Sequence, residues 1–276
     1  ELRVFLNKLY SFEQRHSHSR KICTFLFDGD QYWNDACSEH RFYELGSPLS
    51  KLLPAVYDSR ILHSITYECE NWYKARLSTD IMSALNEGNL FLWYFGSAAG
   101  GGRKSAWGLR PFFRIDSVQS LLRNQDRFIL MSFTNEDAAF QNELPTGGEK
   151  LLFGTTYGAV AAVGFSLNVF AEHLAEIQQT MLDALELGSV SLGALFHRTV
   201  VEAEENGSLR YLTLLGDPAM PIPSATVTLD HEDTLFISAG GSVRVSGRCG
   251  TFPDGDLSVH VLGEGTMVDS VSECGT

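Results

Sequence analysis

Two loops in this chain of 276 residues have the composition expected of a site at the end of a strand. The apolar run NLFLWYF passes into GSAAGGG, where Ser97 follows Gly96, and the run RFILMSF passes into TNEDAAF. In an open parallel sheet, ligands and reacting groups lie beyond the carboxyl ends of the strands. We therefore expect any chemistry of this chain to depend on the side chains of these two loops.

Neither loop fits a common catalytic pattern. The glycine-rich loop lacks the Gly-Lys-Ser/Thr ending of a P-loop and the GxGxxG spacing of a dinucleotide site, and its serine lacks the Gly-x-Ser-x-Gly elbow of a serine hydrolase. Glu136 and Asp137 are neighbours after a strand, where adjacent side chains point in opposite directions, so they make a poor acid–base pair. We expect these two carboxylates to cap the next helix.

Metal and cofactor sites are also weakly indicated. Asp28 and Asp30 follow the first apolar run, KICTFLF, and could hold a cation such as calcium, although a turn with solvated carboxylates is the simpler interpretation. The cysteines include no CxxC pair and no histidine at zinc-ligand spacing, so we predict no structural zinc site and no cofactor. Cys249 and Cys274 could form a disulfide bond in an oxidising compartment.

The charge of the chain excludes several classes of partner. Its 21 basic and 34 acidic residues give a net charge of −13, which repels nucleic acid and anionic membranes. No apolar stretch reaches the roughly 18 residues that span a bilayer, and the first residues lack the order of a signal peptide. We expect a globular piece of a longer protein.

Apolar runs alternate with helical patterns over the first 223 residues. The runs KICTFLF, NLFLWYF, RFILMSF and AVAAVGFS predict buried strands, RYLTLLGDPAMPIP predicts a terminal strand and turn, and AVYDSRILHSITYE is ambiguous. Helices are predicted at 2–13, 37–53, 117–124, 169–187 and 190–205, and in STDIMSALNEG with Ser78 or Thr79 as its cap and Gly88 at its end. This order predicts an α/β domain with a largely parallel sheet covered on both faces.

The sequence changes character after Pro223. Residues 224–276 alternate between apolar and polar side chains, are rich in Val, Thr, Ser and Gly, and contain no helical segment. We therefore predict two domains, an α/β domain at 1–223 and the start of a β-sandwich at 224–276.

The order of these motifs resembles the gingipain-type cysteine peptidases, which include the sortase-like signal peptidase of the type IX secretion system. The resemblance covers nearly the whole chain and rests on several segments: Asn7-Lys8-Leu9-Tyr10 in the first helix, FLFDGD after it, Tyr94 to Ala98 with Trp107 beyond, Thr134-Asn135 with Phe140, Gly148-Glu149, and YLTLLGDPAMPI at 211–222. It implies a caspase-like fold followed by an immunoglobulin-like domain.

The same resemblance implies that the catalytic dyad is missing. Ser97 stands where the family has its histidine, and Asn135 stands where it has its cysteine. The mechanism needs a thiolate nucleophile and an imidazole that takes and returns a proton, which neither side chain provides. The resemblance therefore implies a catalytically inactive pseudopeptidase with a vestigial cleft that includes Gly96, Thr134 and Glu149.

Other interpretations remain open at this stage. The chain could be an active peptidase that uses Ser97 as its nucleophile, with His63 or Lys104 as the base. The aromatic pair Tyr32 and Trp33 could instead bind carbohydrate, although such residues more often belong to a core.

The resemblance also implies where the protein acts and what it binds. It implies export to the periplasm, the cell surface or the exterior of a Gram-negative bacterium as part of a longer protein. The expected partner is a protein or peptide, and the GGGRK segment offers Arg103 and Lys104 to such a partner, or is only a mobile surface loop.

Overall fold

The protein divides into two compact units, residues 1–222 and 223–276. The structure is a computed structural model. It describes residues 2–15, 22–27, 41–54, 57–68, 75–96, 122–123, 127–134, 137–138, 146–153, 157–186, 191–203 and 206–222 of the first unit, and 227–229, 247–249, 256–263 and 266–273 of the second.

A six-stranded mixed sheet forms the centre of the first unit. Its strands are β1 (Ile22–Phe27), β2 (Asp58–His63), β3 (Phe91–Phe95), β4 (Phe128–Phe133), β5 (Ala159–Phe165) and β6 (Leu212–Leu215). They lie in the order β2-β1-β3-β4-β5-β6, and all neighbours are parallel except β5 and β6. The predicted α/β class and largely parallel sheet are confirmed.

Helices flank the sheet. They are α1 (Leu2–Arg15), α2 (Arg41–Gly46), α3 (Ala75–Glu87), α4 (Gly147–Phe153), α5 (Ala171–Glu186) and α6 (Leu192–Glu202), with short 3-10 turns at Leu49–Leu52, Ser64–Thr66 and Leu209–Tyr211. The predictions for α1, α5 and α6 are confirmed to within a few residues at either end. The helix predicted at 117–124 falls almost wholly outside the described residues.

Two details of the helix predictions were wrong. Ser78 and Thr79 do not cap α3, because the helix already begins at Ala75, although Gly88 does end it with a positive φ of 99°. The helix predicted at 37–53 is represented in the described residues by α2 and the 3-10 turn at Leu49–Leu52. Pro48, which cannot donate a backbone hydrogen bond, stands between them.

The two faces of the sheet differ in the side chains that fill them. On the first face, Trp93 stacks on Phe133 with ring centroids 5.6 Å apart and on Phe25 at 5.7 Å, and α5 packs over these rings. On the second face, aliphatic residues and Tyr94 pack against α3 and α4. Because both faces are covered, the central strands are continuous apolar runs.

The segment LLGDPAMPI joins β6 to two neighbouring elements. Gly216 has a φ of +142°, and a Cβ there would lie 2.7 Å from the Cβ of Ala161 in β5. Asp217 accepts a hydrogen bond from the Ala219 backbone N–H at 2.9 Å, and the carbonyl of Pro218 accepts one from Gly193 at 2.7 Å. This segment, which is one of those that carry the resemblance, therefore closes the sheet and caps the start of α6.

The described strands of the second unit form two antiparallel pairs. β7 (Val227–Leu229) pairs with β8 (Gly247–Cys249), and β9 (Asp256–Gly263) pairs with β10 (Thr266–Glu273). The immunoglobulin-like assignment of this unit stays a prediction. In the described parts of both units, no helix has the length and apolar character needed to cross a membrane.

Candidate functional site

The carboxyl ends of the central strands lie at one level of the sheet. Phe27 at the end of β1 is in register with His63 of β2 and Phe95 of β3, and Phe95 is in register with Phe133 of β4. The two loops that the sequence indicated therefore begin on neighbouring strands at the same height. Positions 97 and 135 each come two residues after this row, and both lie outside the described residues.

Gly96 and Thr134 are the last described residues before those positions. The Gly96 backbone N–H donates to the carbonyl of Phe133 at 3.2 Å, so the two loop starts are hydrogen-bonded to each other. The Thr134 side chain is fully buried, and its Oγ1 has no hydrogen-bond partner in the described part of the chain. Among the described residues, the start of the second loop thus contains a buried hydroxyl with unused hydrogen-bonding capacity.

Asp137, three residues further along the chain, is also buried. Its Oδ2 accepts a hydrogen bond from the Ser132 hydroxyl in β4 at 2.5 Å, and the next residue, Ala138, donates its N–H to Phe165 of β5 at 3.1 Å. The Asp137 carboxylate was expected to cap the next helix; its Oδ2 ties the loop back onto the strand it leaves, and its backbone carbonyl accepts from Gly148 in the first turn of α4. Its neighbour Glu136 lies outside the described residues.

Thr146 and Glu149 cap α4 instead. The Glu149 carboxylate accepts from the Thr146 backbone N–H at 2.8 Å and from its hydroxyl at 3.0 Å, while the Glu149 N–H donates to the Thr146 hydroxyl at 3.4 Å. This is a capping box, and its signature Thr-Gly-Gly-Glu was readable in the sequence. Glu149, predicted as part of the vestigial cleft, thus has a structural use at the helix start.

Gly148 brings the start of α4 against the loop of Asp137. The Gly148 N–H donates to the Asp137 carbonyl at 3.2 Å, and a Cβ at Gly148 would lie 2.9 Å from that same oxygen. Only a residue without a side chain fits this approach unless the loop moves. The Gly-Glu pair of the resemblance is therefore explained by packing and capping.

Lys8 occupies the other end of α4. Its ammonium group is buried and donates to the carbonyl oxygens of Leu151 at 3.0 Å, Leu152, and Tyr157 at 3.3 Å. Desolvation, with the charge of Arg127 as a smaller cause, lowers the pKa of Lys8 from 10.5 to about 7. A buried lysine that satisfies the last carbonyls of a helix was not predicted, because the sequence does not show which helix end it reaches.

Two described histidines have defined neighbours. His63, considered as a base for Ser97, is buried at the end of β2 and stacks on Tyr43 with ring centroids 3.7 Å apart. His173 at the start of α5 shares a hydrogen bond of 2.8 Å between its Nδ1 and the Ser208 hydroxyl. Sequence reasoning missed this second pair, since its members are 35 positions apart.

The remaining predicted site residues are not in the described part of the chain. They are Asp28, Asp30, Tyr32, Trp33, Arg103 and Lys104. Among the residues that the structure describes, no group of three His, Cys, Asp or Glu side chains could hold a metal ion. Cys23 of β1 is fully buried, and desolvation raises the pKa of its thiol, so this cysteine is a core residue rather than a nucleophile.

Comparisons with known proteins match this chain to one family by sequence and to solved structures by fold. The sequence profile of peptidase family C25 matches residues 1–223. In structure, the chain is similar to the Arg-specific cysteine proteinase gingipain R (RgpB), with a TM-score of 0.58 and 17% identity over 99% of this chain and 64% of that one.

Two further solved structures have the same fold. In the complex of the pro- and mature domains of RgpB from Porphyromonas gingivalis, the matching chain has a TM-score of 0.57 and 17% identity, with 99% of this chain and 66% of that one covered. A chain described as a protease has a TM-score of 0.59 and 16% identity, with 98% and 65% covered. The caspase-like gingipain fold predicted for the first unit is confirmed.

This chain spans slightly less than two thirds of the length of each solved relative. No curated protein matches the sequence closely enough to count as a relative.

Proposed function

The chain belongs to peptidase family C25, and from that premise we propose that it is a catalytically inactive member that serves as a binding or structural module of an exported bacterial protein. The observation that carries the proposal is the pair of positions that follow Gly96 and Thr134. Ser97 and Asn135 stand two residues beyond register partners, where the family resemblance places the histidine and the cysteine.

The contacts around these positions support a retained scaffold. The loop starts are joined by the Gly96 to Phe133 hydrogen bond, and the Ser132 to Asp137 hydrogen bond ties the second loop back to its strand. These features hold the backbone without contributing to proton transfer. A chain with this scaffold and without the two dyad residues lacks the family's nucleophile and its base.

A protein or peptide partner is the natural occupant of such a cleft. Among the similar structures, one is a complex in which a gingipain mature domain is bound to a pro-domain. The net charge of −13 favours a basic partner over an acidic one. The location that we propose with this function is the periplasm, the cell surface or the exterior, with type IX secretion as the route to the surface or the exterior.

The alternative function is a peptidase with non-standard residues, in which Ser97 acts as the nucleophile. It needs a base near position 97, and both sequence candidates, His63 and Lys104, remain untested in that role. His63 is buried in a stack with Tyr43, an environment that limits its access to a substrate. We therefore favour the inactive module.

One experiment separates the two functions. The purified parent chain, the double variant Ser97→His/Asn135→Cys and the single variant Ser97→His are treated with a cysteine-directed activity probe and a broad peptide library. The single variant is the matched control, because it restores the imidazole without a thiol. We expect labelling or cleavage by the double variant alone.

Other results would contradict the proposal. Cleavage by the parent that Ser97→Ala abolishes would establish the serine peptidase. A double variant that has the parent's circular dichroism spectrum and denaturation midpoint, and is nevertheless silent, would contradict the assignment of positions 97 and 135.

A further inference from the structure

We propose that Lys8 is a positioning residue for the candidate site, because it fixes one end of α4 while the other end contacts Asp137, which follows Asn135 by two positions in the chain. The inference rests on the proposed function only where that function assigns position 135 to the site. The contacts that carry it are independent of what the site binds.

The length of α4 makes its position dependent on its anchors. It has seven residues, whereas an isolated helix shorter than about 12 residues is only marginally stable in water. The helix therefore depends on tertiary contacts, which are the packing of Leu151 against the sheet and the contacts at its two ends. At about 1.5 Å per residue, the two ends of α4 are roughly 10 Å apart. Because a helix this short moves as one unit, a displacement of its carboxyl end also displaces its amino end.

The carboxyl end of α4 is held by the first helix of the chain. Lys8 donates to the carbonyls of Leu151 and Leu152 and to that of Tyr157 just beyond, so a single ammonium group satisfies orphan acceptors that the helix itself leaves unpaired. The group is buried, and these hydrogen bonds are directional. Phe5 adds an edge-to-face contact with Phe153, at a centroid distance of 5.7 Å.

The amino end of α4 is in contact with the site loop. Gly148 donates to the carbonyl of Asp137 at 3.2 Å with no room for a side chain between them. The Asp137 carboxylate in turn accepts a hydrogen bond from the Ser132 hydroxyl, and the Ala138 N–H donates to the carbonyl of Phe165. A shift of α4 along its axis would consequently press on the backbone two residues after position 135.

Amide hydrogen exchange tests this inference residue by residue. Lys8→Met keeps an apolar stem of similar length but removes the donors, and Phe5→Leu is the matched control that weakens the other contact between α1 and α4. The amides of Gly148 and Ala138 report on the site loop, and the amide of Ile129, which donates to Leu90 at 2.8 Å, reports on the sheet.

We expect Lys8→Met to speed exchange at Gly148 and Ala138 by about tenfold or more, with less than about a twofold change at Ile129, because local opening is independent of global unfolding. Phe5→Leu should leave the Gly148 and Ala138 rates within about threefold of the parent. Equal acceleration at all three amides, or fraying confined to the last turn of α4, would overturn the inference and leave Lys8 a purely structural residue.

A second variant keeps the inference testable if Lys8→Met does not fold. Lys8→Gln retains one amide donor and should still speed exchange at Gly148 and Ala138, by less than the loss of all donors would, while the Ile129 rate stays within about twofold of the parent. If the double variant Ser97→His/Asn135→Cys folds and stays inactive, the proposed function is contradicted. The exchange rates expected for the Lys8 variants do not depend on that result. The two proposals can therefore fail separately.

Discussion

Replacing Gly216 by alanine tests how the LLGDPAMPI segment closes the sheet. The new Cβ would lie 2.7 Å from the Cβ of Ala161 and 3.1 Å from its Cα, and it would have to be accommodated at a φ of +142°. Neither atom of Ala161 is the end of a flexible side chain, so β6 or β5 must shift.

Two separate costs add to give the expected loss of stability. A non-glycine residue in a sparsely populated backbone region costs about 1–3 kcal/mol, and forcing an additional methyl group into a packed site costs about 1–3 kcal/mol. We therefore expect Gly216→Ala to lower the free energy of unfolding by about 2–6 kcal/mol, a large share of the roughly 5–15 kcal/mol typical of a folded protein.

Urea denaturation followed by circular dichroism measures this loss. Gly207→Ala is the matched control, because Gly207 is exposed and a Cβ there would meet nothing within 4 Å; its effect should stay within about 0.5 kcal/mol. Adding Ala161→Gly to Gly216→Ala should recover only part of the steric loss, because it removes the Cβ at 2.7 Å and leaves the Cα at 3.1 Å, and it should not recover the part that comes from φ. If Gly216→Ala and Gly207→Ala had the same denaturation midpoint, the account of this segment would be refuted.

Three further predictions concern the contacts around the candidate site. Burial and, less strongly, Arg127 lower the pKa of Lys8 from 10.5 to about 7, so the unfolded chain binds the proton more tightly in this interval. The free energy of unfolding should thus rise with pH by up to about 1.4 kcal/mol per pH unit. Denaturation midpoints measured from about pH 7.5 to about pH 9.5 should show this slope in the parent and lose it in Lys8→Met. Asp137→Ala should cost about 1–3 kcal/mol in thermal unfolding by stranding the buried Ser132 hydroxyl, and the double variant with Ser132→Ala should cost less than the sum of the two single changes. Thr146→Ala should cost about 1 kcal/mol through loss of the capping box, and an unchanged melting temperature would contradict the role assigned to Thr146.

The central strands were predictable because they are buried on both faces. KICTFLF, NLFLWYF and RFILMSF are continuous apolar runs of the length of a strand, and no helical period competes with them. The strand β2 was ambiguous, since its first half, Asp58 to Arg60, is polar and interrupts any apolar run. These residues face solvent in whole or in part because β2 lies at the edge of the sheet. Whether this segment forms a strand depends on its place at the edge of the sheet, and the sequence alone does not show that place.

The site was only partly predictable, and the reason is the distance between its contacts in the chain. Which loops share the edge of the sheet followed from the order of strands and helices, because parallel strands end at the same side. The partners of Asp137 and Lys8 could not be predicted. A carboxylate after a strand is equally compatible with a helix cap, and a lysine in an amphipathic helix is expected to be exposed. The Thr146 and Glu149 box is the opposite case, a local signal that the sequence contains.

The pairing of β6 with β5 has a consequence for the order of folding. β5 is covered on both faces, and on its outer edge β6 is the strand that occupies its backbone hydrogen-bonding groups. Because β6 and the Gly216 turn lie near the end of the first unit, a chain that emerges or is transported amino end first presents an unpaired, apolar strand edge until those residues arrive. We therefore expect truncation before Leu212 to leave this edge open to pairing with another chain and to cause aggregation.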